Sequence, residues 1–304
     1  MAEEKIYDAI IIGAGPGGLQ AAIYLGRYNR DVLLIDRTGG RTWHARHIEN
    51  FLSQKLITGE EVIATGMEQA RSFRARIERG RVTSVTKGEY FEVRTETALY
   101  RSLFVVVSTG VYDILPPVEN LYPFFGISFF TCIDCDGYRT TGKKLVVLGR
   151  DIEAVNHAFA IKEMFTRDIT VVLDSFSLPP EYEEELQDEN IRFVSGRPVR
   201  LVGNRTLEAV ELDSGKRIAC EVVMSAYGCR MNDEFLSGLP LKRNSRGYFF
   251  TDPHYESSLG GLYIVGPLNT GPDQVVIAAG EGAVAAIELN KRLIERRKTA
   301  FSLE

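Results

Sequence analysis

The sequence of 304 residues predicts an α/β fold with parallel sheets. Residues 6–36 and residues 144–173 each show the same order of apolar strand, glycine turn, helix and second apolar strand. Near the end of the chain, a short strand at 262–265 is followed by an alanine-rich helix that runs from Val275 to Leu293. Strands that alternate with helices in this way favour parallel sheets covered by helices on both faces.

The first of these segments has every part of a dinucleotide-binding unit. An apolar run at 6–12, suited to a strand buried on both faces, enters a turn in which Gly13 allows a tight bend and Gly15 lets the backbone approach a pyrophosphate. Gly18 allows the following helix to pack on the strand, and the N-terminus of that helix offers unpaired N–H groups to phosphates. Asp36 ends the next strand, where its carboxylate is placed to accept from a ribose hydroxyl.

Composition narrows the class of protein. Hydrophobic residues make up 44% and charged residues 25%, which is typical of a folded globular chain of about two domains. The net charge of −5 argues against nucleic acid or an anionic membrane surface as the main partner. The sequence shows no membrane-spanning run and no secretory signal, so we expect a cytoplasmic protein.

Two of the four cysteines, Cys132 and Cys135, have the C-x-x-C spacing. This spacing closes a small disulfide ring and commonly lowers the pKa of one thiol, so it favours redox chemistry, with an inert pair as the alternative. Zinc is not expected, because the remaining cysteines and the histidines do not supply two more ligands at suitable spacing. Asp136 is placed to pass a proton to a leaving thiolate. Cys220 and Cys229 are predicted to be small buried side chains.

With these motifs in view, the chain resembles the low-molecular-weight thioredoxin reductases and their flavoprotein relatives over almost its whole length. The cysteine motif and the late Gln-to-Gly motif are together the most specific part of that resemblance. The matching segments are 13–18, Gly39-Gly40, 49–51, 108–110, Cys132-x-x-Cys135-Asp136-Gly137 and 274–282.

The resemblance implies two Rossmann-like domains of the FAD/NAD(P)-linked disulfide reductase type, the second inserted in the first. The FAD-binding domain would comprise residues 1–114 and 246–304, and residues 115–245 would form the inserted domain with the cysteine pair. FAD is implied in the first dinucleotide site, and a homodimer is implied as the assembly. The implied FAD-binding residues are Gly13, Gly15, Pro16, Gly17, Gly18, Asp36, Arg37, Gly40, Asn50, Thr109, Gly110, Gly266, Gln274 and Val275.

By the same resemblance, the cysteine pair carries out the chemistry and reduces thioredoxin or a thioredoxin-like protein. Cys135 would face the flavin and Cys132 would exchange with the substrate disulfide. Asp136 would act as the acid/base. No metal is implied.

The second dinucleotide unit departs from the family pattern in two places. Where the family has the second glycine of G-x-G-x-x-A, this chain has Asp151, which adds bulk and negative charge at the pyrophosphate position. The basic cluster that holds the 2′-phosphate of NADPH is replaced by Leu173-Asp174-Ser175. NADPH is therefore not expected as a cofactor. Asp174 is placed to accept from a ribose of NADH, so an NADH-dependent reductase stays as an alternative.

A further departure touches the flavin site, where Gly266-Pro267 replaces the usual Gly-Asp. The change removes one hydrogen bond to the cofactor, which would weaken its binding by about 1 kcal/mol. Because it lacks the NADPH motifs, the chain resembles those family members that lack them too. These are the ferredoxin-dependent flavin thioredoxin reductases and the cyanobacterial deeply rooted or diflavin-linked types. These imply a one-electron carrier such as ferredoxin as donor and, in the diflavin type, a second flavin. Basic segments at 71–81 and 291–298 would attract an acidic carrier or simply be solvated, and a redox-sensing flavoprotein without turnover is a third hypothesis.

Overall fold

A computed structural model describes residues 5–37 and 40–301, with side chains described as far as residue 298. The chain divides into two compact units. The first consists of Met1–Tyr112 together with Met231–Glu304, and the second is Asp113–Arg230. The boundaries expected from the sequence were near residues 115 and 245.

The first unit is built on a seven-stranded sheet in which five strands are parallel and two antiparallel strands extend one edge. The parallel strands are β1 (Ile6–Ile12), β2 (Val32–Asp36), β3 (Arg76–Arg79), β6 (Leu99–Val107) and β17 (Leu262–Ile264), and the antiparallel ones are β4 (Val82–Lys87) and β5 (Phe91–Thr95). The helices are α1 (Pro16–Arg27), α2 (Gly40–Trp43), α3 (Gly59–Ser72) and α7 (Val275–Phe301), with a short 3₁₀ turn at Glu234–Leu236.

Both faces of the central strand β1 are buried, which explains its unbroken apolar sequence. Ala9 and Ile11 pack in one core with side chains of α1, α3 and α7, and Ile10 and Ile12 pack in a second core on the other face. Helices α1 and α7 approach so closely at Gly282 that a Cβ added to this residue would collide with the backbone of Gly17. The order of these elements brings the ends of β1, β2 and β6 beside the N-terminus of α1.

The second unit has an all-parallel five-stranded sheet, and a three-stranded antiparallel sheet that lies in the chain between the fourth and fifth of its strands. The parallel strands are β8 (Phe129–Phe130), β9 (Leu145–Gly149), β10 (Ile169–Leu173), β11 (Arg192–Ser195) and β15 (Val222–Ala226), and their order across the sheet is β11-β10-β9-β15-β8. The antiparallel strands are β12 (Pro198–Gly203), β13 (Leu207–Leu212) and β14 (Arg217–Ala219). The helices are α4 (Ile133–Asp136), α5 (Glu153–Met164) and α6 (Pro180–Asp188), with a 3₁₀ turn at Gly137–Thr140.

The chain passes between the units twice, along β7 (Val111–Asp113) and β16 (Cys229–Met231), which pair as a two-stranded sheet. The predicted fold class is confirmed, since each unit has a sheet of parallel strands in which one strand, β1 in the first unit and β9 in the second, leads through a turn with glycine into a helix. Within the described residues, no helix has the length and apolar character needed to cross a membrane. Nor do those residues contain a group of three or more His, Cys, Asp or Glu side chains arranged to hold a metal ion.

Candidate active site

The C-x-x-C motif of the second unit forms a disulfide between Cys132 and Cys135, as the sequence predicts. Strand β8 leads into the motif, and Cys132 is the N-cap residue of the single-turn helix α4. The backbone N–H of Cys135 donates to Sγ of Cys132 over 3.1 Å, and the two Cα atoms are 5.4 Å apart. The turn therefore holds both sulfur atoms in a fixed local geometry.

Packing and hydrogen bonds on both sides of the disulfide fix this turn. Before it, the hydroxyl of Thr131 donates to Oδ2 of Asp113 over 3.2 Å. After it, Gly137 lies so close to the ring of Phe165 that an added Cβ would be 2.6 Å from Cε2. Thr140 is fully buried, and its hydroxyl donates to the carbonyl of Gly137 over 2.7 Å. A larger side chain at 137 would displace the residues that follow the disulfide.

Charged groups are clustered around the cysteine turn. Asp136, the predicted acid/base, lies at the end of α4 and accepts from Nε of Arg139 over 3.2 Å. From α5, His157 interacts electrostatically with Asp134 of the motif and with Glu153. Burial lowers the pKa of His157, and the neighbouring carboxylates oppose that shift. Its Nδ1 atom is buried without a hydrogen-bond partner among the described residues.

The other two cysteines differ in their surroundings. Cys220 is buried, and burial raises the pKa of its thiol to about 12, so it is unreactive at neutral pH. Cys229 is exposed on β16, one of the two strands that join the units. The prediction that both are buried is therefore wrong for Cys229, because its strand belongs to a two-stranded connection and not to a sheet core.

The glycine turn of the first unit has the geometry expected for an anion-binding turn. Gly13 has a φ of +102°, and a Cβ there would collide with the carbonyl of Ser108 at the end of β6. Pro16 occupies the first turn of α1, where its missing N–H costs no helical hydrogen bond. The other N–H groups at the start of this turn have no partner within the helix, because no helical carbonyl precedes them. Oδ1 of Asp36 accepts from the N–H of Ala14 over 2.9 Å, which ties the end of β2 to the turn.

Hydrogen bonds hold several of the remaining predicted residues in place. Nδ2 of Asn50 donates to Oε1 of Gln274 over 2.9 Å, although 224 positions separate them. The hydroxyl of Thr109 donates to the carbonyl of Asn232 over 2.6 Å, and Nδ2 of Asn232 donates to the carbonyl of Thr109 over 3.0 Å. Gly110 has a φ of +62° and its carbonyl accepts from the N–H of Asn232.

The last predicted residues lie at turns and helix ends of the first unit. Arg37 lies over the ring of Tyr112 at 5.3 Å, and Gly40, with a φ of +63°, is the first residue of α2. Gly266 has a φ of +78°, and Val275 is the first residue of α7. Gly39 lies outside the described residues.

Sequence reasoning does not identify a role for Glu281, although this residue lies in the 274–282 segment. Its buried carboxylate accepts from the backbone N–H of Gly266 and, over 2.9 Å, from Nδ2 of Asn269. Burial raises the pKa of Glu281, and these two donors oppose the shift. The carboxylate thus holds the loop that carries Pro267. The spacing of 15 residues between Gly266 and Glu281 gave no signal, because the contact exists only once α7 folds back on the loop.

The glycine turn of the second unit is arranged differently from that of the first. Oδ1 of Asp151 accepts from the N–H of Glu153 over 3.0 Å, so the first turn of α5 is capped by a carboxylate of the same turn. Asp174, at the end of β10, accepts from Oγ of Ser175 over 2.9 Å and from the hydroxyl of Tyr227 over 3.3 Å. Tyr227 is buried, and the guanidinium of Arg150 lies 6.0 Å from the centre of its ring.

The profile of a family described as "Pyridine nucleotide-disulphide oxidoreductase" matches residues 7–282, which include both glycine turns and the disulfide. The chain belongs to the pyridine nucleotide-disulphide oxidoreductases. Within this family it is a thioredoxin reductase-like oxidoreductase with a C-x-x-C disulfide, and FAD is the cofactor expected in such a member.

Individual members of the family match the chain from end to end. Thioredoxin reductase of Bacillus subtilis strain 168 is 28% identical over 327 residues and covers all of both chains. The crystal structure of HlmI superposes with a TM-score of 0.91 at 29% identity, covering 99% of this chain and 97% of the other. Thioredoxin reductase from Streptococcus pyogenes MGAS5005 gives a TM-score of 0.87 at 26% identity, covering 96% and 100%.

The residues of the first unit fit the FAD that this pyridine nucleotide-disulphide oxidoreductase is expected to hold. Gly15 and Gly17 carry no side chain where the backbone must meet a pyrophosphate, and the N–H groups at the N-terminus of α1 are donors of the kind that binds phosphate. A Cβ on Gly17 would be 2.9 Å from the carbonyl of Ala278 and 3.0 Å from Oγ of Ser108, so the space around the turn admits no larger residue. Pro267 contributes no carboxylate to this site.

Proposed function

We propose that this chain is a flavin-dependent protein-disulfide reductase that works without NADPH. Its substrate would be thioredoxin or a thioredoxin-like protein, as the names of its thioredoxin reductase relatives suggest. The observation that carries independence from NADPH is the carboxylate of Asp151, which caps the helix where a nicotinamide dinucleotide would place its pyrophosphate.

The capping contact opposes dinucleotide binding in two ways. A dinucleotide-binding helix attracts the pyrophosphate through its unpaired N–H groups and its partial positive charge. In this chain, Asp151 already satisfies the N–H of Glu153. Its negative charge would also repel the pyrophosphate, so binding would require the loss of a charge-assisted hydrogen bond and the placing of like charges side by side.

The position in the second unit where the ribose of a dinucleotide would lie also supports the proposal. NADPH carries a 2′-phosphate, and the residue at that position is Asp174, whose negative charge disfavours phosphate. Both oxygen atoms of this carboxylate accept hydrogen bonds from neighbours, one from Ser175 and one from the buried Tyr227. A ribose of NADH would have to compete with these donors. The structure therefore gives less support to the NADH-dependent alternative than the sequence alone does.

The proposed roles of the site residues follow from the disulfide and its neighbours. FAD held by the first unit would supply two electrons, and with two protons the Cys132–Cys135 disulfide would become a dithiol. The thiolate of Cys132 then attacks a disulfide of the substrate, forming a mixed disulfide and releasing one substrate thiolate. Cys135 attacks Cys132 in turn, which restores the enzyme disulfide and releases the second substrate thiolate. Asp136 exchanges the protons of these two steps.

The FAD-holding residues are proposed to be those of the first unit named from the sequence. The N–H groups beside Gly15, Gly17 and Gly18 would bind the pyrophosphate, and Asp36 would accept from a ribose hydroxyl. Asn50, Thr109, Gly110, Gln274 and Val275, together with Gly13, Pro16, Arg37, Gly40 and Gly266, would line the remainder of the site.

A one-electron carrier such as ferredoxin is the proposed donor. The basic segments expected to attract it are partly neutralised, since Arg76 contacts Glu78, Lys291 contacts Glu288 and Arg292 contacts Glu256. Steering by these segments therefore receives no added support from the structure. The homodimer, a second flavin and a cytoplasmic location stay predictions.

Reconstituted turnover tests the proposed function. Under anaerobic conditions, the flavoprotein is mixed with chemically reduced ferredoxin and oxidised thioredoxin, and the thiols formed are counted. We expect multiple turnovers that C132S abolishes while the flavin is still reduced. Turnover that survives C132S would contradict the exchange role, and failure of every donor and thioredoxin pair to turn over would favour the redox-sensing hypothesis. In a separate aerobic assay without ferredoxin, oxidation of added dithiols with consumption of oxygen would overturn the proposed direction of electron flow.

A further inference from the structure

The ion pair between Asp136 and Arg139 lies next to the redox disulfide and has no counterpart in the roles proposed so far. Nε of Arg139 is 3.2 Å from Oδ1 of Asp136, and each side chain is 24% exposed. The guanidinium also lies 5.1 Å from the ring centre of Tyr138. Because both partners are largely withdrawn from water, their attraction is stronger than that of a surface ion pair.

The backbone around the pair is held by packing on both sides of Arg139. Gly137 is pressed against the ring of Phe165, and Thr140 is fully buried with its hydroxyl bonded to the carbonyl of Gly137. Arg139 therefore leaves the 3₁₀ turn from a fixed position, three residues after Asp136. The contact is built into the fold of the turn and does not depend on a long flexible loop.

Other charged groups around the turn act in different directions. The carboxylate of Asp134, on the same single-turn helix α4, would favour a protonated Asp136 by repulsion, whereas Asp113 accepts from Thr131 before the disulfide. His157 faces Asp134 from α5, with Glu153 beside it, and burial lowers the pKa of this imidazole, so it contributes little positive charge at neutral pH. Arg139 places a positive charge in contact with the carboxylate of Asp136.

We propose that Arg139 is a positioning residue that keeps Asp136 ionised and oriented, so that Asp136 begins each thiol–disulfide exchange as a base. This inference rests on the proposed function, in which Asp136 exchanges protons with the cysteine thiols. The carboxylate takes the proton of the attacking thiol, which leaves a thiolate. That thiolate forms a bond to one substrate sulfur, the substrate S–S bond breaks, and the proton passes from Asp136 to the departing sulfur.

The test is a pH–rate profile of exchange in the reduced holoenzyme, in a C229S background that removes the exposed thiol, with 5,5′-dithiobis(2-nitrobenzoic acid) as the disulfide and the released aryl thiolate as the signal. The rate should fall on the acid side as Asp136 becomes protonated. In R139M this acid limb should move to higher pH by about one unit, the size of effect expected when an opposite charge in contact is removed. R139K, which keeps the charge, should stay within a fraction of a unit of the parent.

Three further variants make the outcome unambiguous. R192M is the matched control, because Arg192 pairs with Asp168 elsewhere in the second unit, and its profile should overlay that of the parent. If R139M folds poorly, as judged by circular dichroism and thermal unfolding, R139Q preserves an N–H donor without the charge and should show the same direction of shift. D136N should remove the acid limb altogether.

The possible results separate this inference from the proposed function. A parent-like acid limb in both R139M and R139Q, with the limb lost in D136N, would overturn the role of Arg139 and leave that of Asp136 intact. An unchanged acid limb in D136N would instead contradict the acid/base role within the proposed function. An equal shift in R192M would show that the effect is not local to the turn and would also overturn the inference.

Discussion

Replacing Glu281 should destabilise the first unit, and the structure gives the size of the effect. The buried carboxylate accepts from the N–H of Gly266 and from Nδ2 of Asn269, which is itself buried. E281A leaves both buried donors without an acceptor, which costs about 1–3 kcal/mol of stability for each donor. Part of this cost is offset, because the variant no longer has to bury a carboxylate. We therefore expect the free energy of unfolding at neutral pH to fall by about 2–4 kcal/mol in E281A and by about 1–2 kcal/mol in E281Q, which keeps one acceptor.

The pH dependence of this effect has a definite sign. Because burial raises the pKa of Glu281, the folded chain binds the proton more tightly than the unfolded chain. The part of its contribution that depends on the bound proton is then complete below the unfolded pKa of about 4.3 and is lost as the pH rises through the raised folded value, whereas the hydrogen bonds to the carboxylate remain. The stability difference between the parent and E281Q should therefore be largest at acid pH and decline as the pH rises.

Urea unfolding of the flavin-bound protein at several pH values measures both quantities. E288Q is the matched control, because Glu288 lies on the same helix and its ion-pair partner is Lys291, whose side chain is 60% exposed, so that the pair is worth less than about 1 kcal/mol. A loss in E281A no larger than that in E288Q would refute the assigned role of the carboxylate. A difference between the parent and E281Q that grows with rising pH would refute the direction of the pKa shift.

Three further predictions concern other residues. D151G frees the N–H of Glu153, so calorimetry should show at least tenfold tighter NADH binding than in the parent, and equal binding would contradict the capping argument. G282A should lower stability by about 1–3 kcal/mol and reduce bound flavin, because its Cβ meets the backbone of α1, whereas G280A has open space and should be neutral or stabilising by thermal unfolding. Iodoacetamide should label Cys229 and spare Cys220 in the native disulfide form, as read by mass spectrometry, and equal labelling would contradict the burial of Cys220.

The sequence predicted the parts of the fold that depend on local patterns. Buried strands are predictable because they appear in the sequence as apolar runs. The turn at Gly13 is predictable because its positive φ and its close approach to the end of β6 both require glycine. The Cys132–Cys135 disulfide was predictable because its two sulfur atoms are three residues apart. For the same reason Asp136 was found, since it adjoins the motif.

Contacts made by tertiary folding could not be predicted in this way. Tyr227 lies 53 positions from Asp174, and nothing in its sequence neighbourhood indicates that its hydroxyl donates to that carboxylate. Arg139 is near Asp136 in sequence, but the contact depends on a 3₁₀ turn that Gly137 allows by its close approach to Phe165. The second crossing between the units lies at Met231, because β16 pairs with β7 there, and no break in composition marks it.

Anaerobic mixing of the purified flavoprotein with excess NADPH, and separately with NADH, tests the central claim most directly. Because Asp151 caps α5 and Asp174 is held by Ser175 and Tyr227, we expect the visible absorbance of the flavin to stay unchanged with either nucleotide. Chemically reduced ferredoxin, added to the same sample, should bleach it. Rapid bleaching by NADPH or NADH would contradict the account, and bleaching by NADH alone would establish the alternative in which Asp174 binds a ribose.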